Sequence, residues 1–190
     1  MSKKEPKSSQ KLAELTALYE ISSALASSRD PGESAKRILE ILASSLAMRR
    51  GTLTFLDPDT GELVIETAHG LTKEEQARGR FKIGEGVTGR VFERGEPMIV
   101  PDLGQEPLFL NRTRSRGDLA KEKIAFICMP VKVRGEVFGV LSVDRLFKAG
   151  SQNLDDDVRL LTVVASLIGQ AVKIQRTLSL EKKQLEEQNI

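Results

Sequence analysis

The residues best suited to chemistry in this chain are arginines, one acid and one thiol. Arg112, Arg114 and Arg116 stand at alternate positions in Asn111-Arg112-Thr113-Arg114-Ser115-Arg116, directly after Leu108-Phe109-Leu110. Guanidinium forks suit carboxylates and phosphates; the plain alternative is a solvated basic loop. Asp144-Arg145 ends a very apolar run, where an acid must find a partner or water. Salt-bridging or capping is the plain reading there. Cys128 lies inside Ile124-Ala125-Phe126-Ile127-Cys128-Met129, a setting for a buried, inert thiol. His69 is the single histidine. With no second histidine or cysteine near it in sequence, a metal role is not expected, and a dyad with Cys128 is formal only.

Two strings imitate known chemistry. Gly84-Glu85-Gly86-Val87-Thr88-Gly89 is a literal GxGxxG, and Val91 extends it. A dinucleotide site needs a buried parallel strand before it, and Phe81-Lys82-Ile83 is a poor one. A kinase needs a VAIK-type lysine, an HRD loop and a DFG, and the chain has none. The string reads as a turn opening a short helix over residues 87–94, whose free N–H groups remain able to hold an anion. Asp57-Pro58-Asp59 begins like a calcium loop, but Gly61 comes one place early and no glutamate closes it.

The elements that must position these residues follow from composition and periodicity. A chain of 190 residues, 39% hydrophobic, fits one domain plus appendages. Charged residues make up 29% and nearly cancel to +2, which argues against a nucleic-acid-binding face. One cysteine excludes an internal disulfide and a CxxC zinc site, and fits a cytoplasmic protein. No run approaches the ~18 apolar residues of a membrane span. The basic, polar start is not a signal peptide, and residues 1–10 are expected to be disordered.

Helical spacing runs over residues 11–28. A second helix opens with Asp30 as cap, Pro31 at its first position and Glu33 three residues on, as in a capping box. The centre is β-rich. Residues 52–56 and 63–68 flank a Pro/Gly reversal, and short pieces follow at 81–83 and 98–100. Residues 124–133 and 136–144 form a second hairpin around Arg134-Gly135, apolar enough to be covered on both faces. The long connection over residues 101–123 is the kind that carries function. A last helix, capped by Asn153, keeps an apolar stripe from Val158 to Leu185 and calls for a partner helix.

This order of elements resembles a GAF domain, and several strings sharpen the likeness to NifA-type sigma-54-dependent activators. Among them are Leu18-Tyr19-Glu20-Ile21-Ser22, Ala68-His69-Gly70-Leu71 and Val100-Pro101-Asp102. More specific are Pro107-Leu108-Phe109-Leu110-Asn111-Arg112-Thr113 and Phe138-Gly139-Val140-Leu141-Ser142-Val143-Asp144-Arg145-Leu146-Phe147. The resemblance implies an α+β fold: a six-stranded antiparallel sheet, with helices from both chain ends on one face and pocket-forming loops on the other. It implies a GAF domain over residues 11–176 and a coiled-coil-like signalling helix over 177–190, leading to an effector domain that is missing here. In the family an AAA+ ATPase and a DNA-binding domain follow. The input of some members is 2-oxoglutarate, gating a partner such as NifL or a PII protein. The NKFDE signature of cyclic-nucleotide-binding relatives, the bilin-attaching cysteine context and the several cysteines of the sulfoxide-reducing relatives are not visible.

The expected pocket lies between the 109–116 loop and the strands holding Phe126, Cys128 and Asp144. Phe109 and Phe126 would form its wall, Arg112 or Arg114 would grip a carboxylate, and Arg90 is a second cationic anchor. No cofactor, no catalysis, no membrane and no direct nucleic-acid contact are expected. The expected assembly is a parallel homodimer through the N- and C-terminal helices, resting on the stripes 12–25 and 161–172. A ligand-free dimerisation and docking module is the alternative, and a cysteine- or metal-dependent enzyme stands far behind.

Overall fold

Two hairpins build the centre of the molecule. The computed structural model describes residues 5–28, 30–116, 123–146 and 154–188. Strands β1 (Met48–Leu56) and β2 (Leu63–His69) flank the first reversal. There the Asp57 carboxylate accepts the Asp59 N–H at 3.1 Å and the Thr60 hydroxyl at 2.8 Å. That acid is therefore engaged in holding a turn. Thr60, and then the Asp59 N–H, lower its pKa. Strands β5 (Ile124–Val133) and β6 (Glu136–Leu146) turn through Arg134 (φ 50°) and Gly135 (φ 85°). Two positive φ values in a two-residue loop match the right-handed twist of the flanking strands.

With β3 (Arg80–Phe81) and β4 (Met98–Val100) as edges, the six strands lie in the order β3-β2-β1-β6-β5-β4, every pair antiparallel. The expected α+β architecture is present. Strand bounds differ in places: β1 begins at Met48 rather than 52, and β3 covers 80–81 rather than 81–83.

Helices α1 (Glu5–Ser27), α2 (Pro31–Leu46) and the long C-terminal helix α5 (Leu154–Gln188) cover one face. Their buried residues meet Leu53, Ile127, Met129, Leu141 and Val143 of the sheet; Ala17 and Ile21, Ile38 and Leu42, Leu161 and Val164 are central to this core. Each buried aliphatic side chain of this kind stabilises the fold by about 1.5–3 kcal/mol. Asp30 caps α2, accepting the Gly32 N–H at 2.9 Å. The Asp30 N–H goes to the Ser28 hydroxyl at 3.1 Å, so serine takes the place expected for Glu33. α1 starts at Glu5, so residues 5–10, expected to be disordered, are helical. Pro6 falls in the first turn, where an N–H has no helical partner to lose. Asn153 and residues 1–4 lie outside the described residues.

The C-terminal stripe has a different partner from the one expected. Leu161, Val164, Ala165 and Ile168 are buried inside the protomer. The part of the stripe invoked for pairing with a second chain is thus packed against the sheet. The large apolar residues left exposed on these helices are Leu12, Leu15 and Tyr19 on α1 and Val163, Ile174, Leu178, Leu180 and Leu185 on α5. At ~1.5 Å per residue, the 35 residues of α5 span about 52 Å, and all of its described residues beyond Lys173 are exposed.

The opposite face carries α3 (Lys73–Ala77), α4 (Gly86–Arg94) and the segment running to Arg116. Val87 and Val91 of α4, with Leu103, Leu108 and Phe109, pack on Phe126, Cys128 and Val140. β5 and β6 are thus covered on both faces, as their unbroken apolar runs required.

Candidate ligand site on the loop face

Alternation along the strands sorts their residues by face. In β6, Leu141 and Val143 join the helix-side core, while Val140 joins the loop-side cluster. Asp144 shares the loop side. The register places Arg50 of β1 and Phe126 of β5 directly beside it, on its two sides. One row across the sheet therefore reads guanidinium, carboxylate, aromatic ring.

The loop closes over this row. Arg116 donates to Asp144 through both arms of its fork, Nε to Oδ2 at 2.7 Å and a terminal nitrogen to Oδ1 at 2.5 Å. Arg50 stands 3.7 Å from the same carboxylate. The Arg116 and Asp144 side chains are only 8% and 2% exposed, so this is a buried pair. The Arg116 guanidinium also lies over Phe109 at 4.8 Å and Phe126 at 5.5 Å from the ring centres. The two rings meet edge to face at 5.4 Å. Two further arginines tie down the loop backbone: Arg78 donates to the Thr113 carbonyl at 2.7 and 3.1 Å, and Arg50 to the Ser115 carbonyl at 2.9 Å. Three guanidinium groups thus converge on a segment around one buried carboxylate. Arg50 Nε and Asn111 Oδ1 are buried without a partner.

Phe109, Phe126 and Asp144 are brought together as the sequence suggested. The three cations expected to grip a ligand are not brought there in the same way. Arg112 is 45% exposed and pairs with Glu85. Arg114 is exposed. Arg90 is half-buried on α4. The inward arginine is Arg116, joined by Arg50 and Arg78, which sequence reasoning did not select. The signal for Arg116 was present in the loop; those for Arg50 and Arg78 needed the sheet register and the loop path.

The glycine string has a structural explanation. Gly84 (φ 80°) and Gly86 (φ 63°) take left-handed conformations, and a Cβ on Gly89 would stand 2.3 Å from the Lys82 carbonyl oxygen. Turn geometry and close packing account for all three glycines. At the start of α4, Glu85 accepts the Lys82 N–H at 2.9 Å and holds Arg112. Those contacts, Lys82 foremost, lower its pKa although desolvation opposes them. An acid already stands where an anion would approach the helix.

Cys128 is fully buried, with Sγ 3.2 Å from the Ser142 hydroxyl. Burial pushes its thiol up to about 12, against opposing hydrogen bonds from Ser142 and Thr88. Only the thiolate reacts, so a disulfide reagent at pH 8 should label the native protein roughly a thousandfold more slowly than an exposed thiol. Labelling within minutes in the native state would show that the thiol is accessible. His69 ends β2, three strands from β5. At ~4.8 Å per strand that is about 14 Å, too far for a dyad with Cys128. Among the described residues no group of three metal-ligating side chains occurs.

A groove of about 1120 Å³ opens on the other face, between α1, α2, β1, β2 and α5, lined by Leu25, Ile38, Phe55, Val172 and Leu178 among others. The loop face, by contrast, is filled by the side chains of Phe109 and Arg116. The open volume lies on the helix side of the sheet; the convergence of Arg116, Arg50 and Arg78 on the segment around the buried Asp144, with Arg50 Nε left unpartnered, makes the loop face the candidate site.

Comparison with known proteins agrees with this architecture. Residues 30–172 match the family model described as GAF domain. The chain is 43% identical over 175 residues to a Nif-specific regulatory protein of Herbaspirillum seropedicae, covering 92% of this chain and 32% of that protein. It thus spans about a third of the length of the curated relatives it matches. Among solved structures, the A. aeolicus nlh2 GAF domain in an inactive state is 29% identical with a TM-score of 0.76, covering 87% of this chain and 99% of that one. A free methionine-R-sulfoxide reductase from Neisseria meningitidis, in complex with its substrate, shares the fold at 21% identity and a TM-score of 0.71, covering 87% and 91%. The matched residues, the six-stranded sheet and the flanking helices place this chain in the GAF domain family.

Proposed function

We propose that this GAF domain is the regulatory sensing module of a NifA-like, sigma-54-dependent transcription activator and that it has no catalytic activity of its own. The likeness to a Nif-specific regulator along 92% of the chain supports this reading. The observation that carries the sensing part is the buried Arg116–Asp144 pair with the unpartnered Arg50 Nε beside it. A small carboxylate, 2-oxoglutarate foremost, would take over arginine donors now held by Asp144 and satisfy the orphaned one. Phe109 and Phe126 would wall the site, and Arg112, Arg114 and Arg90 would draw the anion toward it. The state of the loop would then pass through α5 of a parallel homodimer, formed along α1 and α5, to an effector domain. It would govern inhibition by a protein such as NifL or a PII protein. Such a regulator works in the cytoplasm. No described helix is long and apolar enough to cross a membrane.

A thermal-shift titration of the 190-residue chain with 2-oxoglutarate and a panel of acidic metabolites tests this. At 100 times its dissociation constant a ligand adds ~2.7 kcal/mol, which for a chain of this size raises the midpoint by about 5–10 °C. Arg116→Lys, which keeps the charge but loses the fork, should weaken the shift at least tenfold in concentration, about 1.4 kcal/mol. A flat midpoint across the panel favours the second reading, a ligand-free dimerisation and docking module. The exposed Leu12, Leu15, Tyr19, Ile174, Leu178 and Leu185 support that reading independently.

A further inference from the structure

Asp144 and Arg145 are consecutive on β6, and their side chains leave the sheet in opposite directions. Asp144 holds Arg116 of the loop. Arg145 reaches the helix face and pairs with Asp157 in the first turn of α5, with side chains 12% and 5% exposed. The same two residues of one strand therefore fasten the loop on one face and the start of the long helix on the other. Both are flanked by strands on two sides: Asp144 is paired with Arg50 and Phe126, and Arg145 with Met48 and Ala125. The irregularity in the pairing of β1 with β6 falls between Met48 and Arg50, opposite this dipeptide. Such a break in register locally disrupts the ladder and increases the strand twist there, so fewer ladder bonds hold this end of the strand.

We propose that Asp144-Arg145 is a two-sided coupling element, through which release of the 109–116 loop alters the seating of the first turns of α5. The proposal rests on the reading of the loop face as the input site. Arg145 and Asp157 act in it as positioning residues; neither touches a ligand.

The α5 side of this link is poised rather than locked. Arg145 satisfies one oxygen of Asp157, but Asp157 Oδ2 and Arg145 Nε are buried without partners. Burial raises the Asp157 carboxyl to about 6 against the pull of Arg145, with Glu14 and Asp156 adding to the rise. A half-satisfied buried pair has little surplus holding it in place. A small change in Arg145 can therefore shift the helix start. Coupling needs an element with two accessible arrangements, and intermediacy in space is not enough.

The test is native-state hydrogen exchange on the whole chain without ligand, comparing wild type, Asp144→Asn, Asp157→Asn and the double variant. Asp144→Asn weakens the grip on Arg116 with little change in shape. It should lower protection in residues 157–161 by about fivefold or more, the low end of coupling between sites. The same link requires Asp157→Asn in turn to lower protection in residues 109–116, by a factor set by how far that substitution loosens its own pair. In the double variant each segment should lose less than the product of the single losses. Ile41→Val on α2 controls for general destabilisation and should leave the ratio between the two segments unchanged. Multiplicative losses, or a loop indifferent to Asp157→Asn, overturn the proposal. If Asp144→Asn fails to fold, the Asp157→Asn arm decides it alone. Because no ligand is present, such a failure leaves the sensing reading standing, while a flat ligand titration leaves the coupling standing.

Discussion

Arg116→Ala should destabilise the domain by about 3 kcal/mol, because it strands the Asp144 carboxylate in a site from which water is excluded. Breaking one side of a buried ion pair typically costs about 3–5 kcal/mol. The lower figure applies here because Arg50 remains 3.7 Å from Asp144 and can move closer. Loss of the guanidinium over Phe109 and Phe126 acts in the same direction. Urea denaturation would read the change, and the thermal midpoint should fall by roughly 6–12 °C. Replacing both partners by apolar residues of similar volume, Arg116→Met with Asp144→Leu, should recover most of the loss, since the pair's own net contribution is small. If Arg116→Ala changes stability by less than about 1 kcal/mol, the loop is not seated as described, and the pair behaves like an exposed one.

The same pair marks the point where sequence reasoning reached its limit. The strands were legible because their ends carry turn chemistry, as at Asp57 and at Arg134-Gly135, and because a run covered on both faces stays apolar throughout. The acid at the end of β6 was legible as a group in need of a partner. Which of Arg112, Arg114 and Arg116 would meet it was not. Equal spacing suggests a common direction, but a loop has no period to enforce one. Asn111 (φ 43°) and Arg114 (φ 54°) take left-handed conformations, and the Arg114 N–H closes a turn onto the Asn111 carbonyl at 3.0 Å. That turn sends Arg112 to Glu85 and Arg114 to solvent, and brings Arg116 in. Arg50 and Arg78 lie 66 and 38 residues before Arg116 in the chain, and only the register and the loop path unite them. The short helix α3 was missed for another reason. Thr72-Lys73-Glu74-Glu75 is a capping box, with the Thr72 hydroxyl accepting the Glu75 N–H at 3.2 Å and the Glu75 carboxylate accepting the Thr72 N–H at 2.8 Å. It precedes no apolar run that would draw attention to it.

The apolar stripe of α5 offers the sharpest separation between folding and assembly. A stripe at steps of three and four residues states that a helix buries one face, but not against what. Here Leu161 is fully buried in the protomer, whereas Leu178 is 60% exposed beyond the domain. Leu161→Ala should therefore lower monomer stability by about 3–5 kcal/mol, the transfer term plus the cavity left among α1, α5 and the sheet. Leu178→Ser should leave that stability within about 0.5 kcal/mol, as surface substitutions usually do, and weaken self-association instead. Denaturation at two protein concentrations tells the effects apart, because only association makes the midpoint depend on concentration. Light scattering at tens of micromolar then reads the assembly directly. Should Leu161→Ala dissociate the protein while leaving the unfolding of the monomer unchanged, the stripe belongs to the contact between chains after all. Should Leu178→Ser leave a dimer intact, α5 beyond residue 173 is not what joins the copies, and the exposed Leu12, Leu15 and Tyr19 of α1 become the surface to alter next.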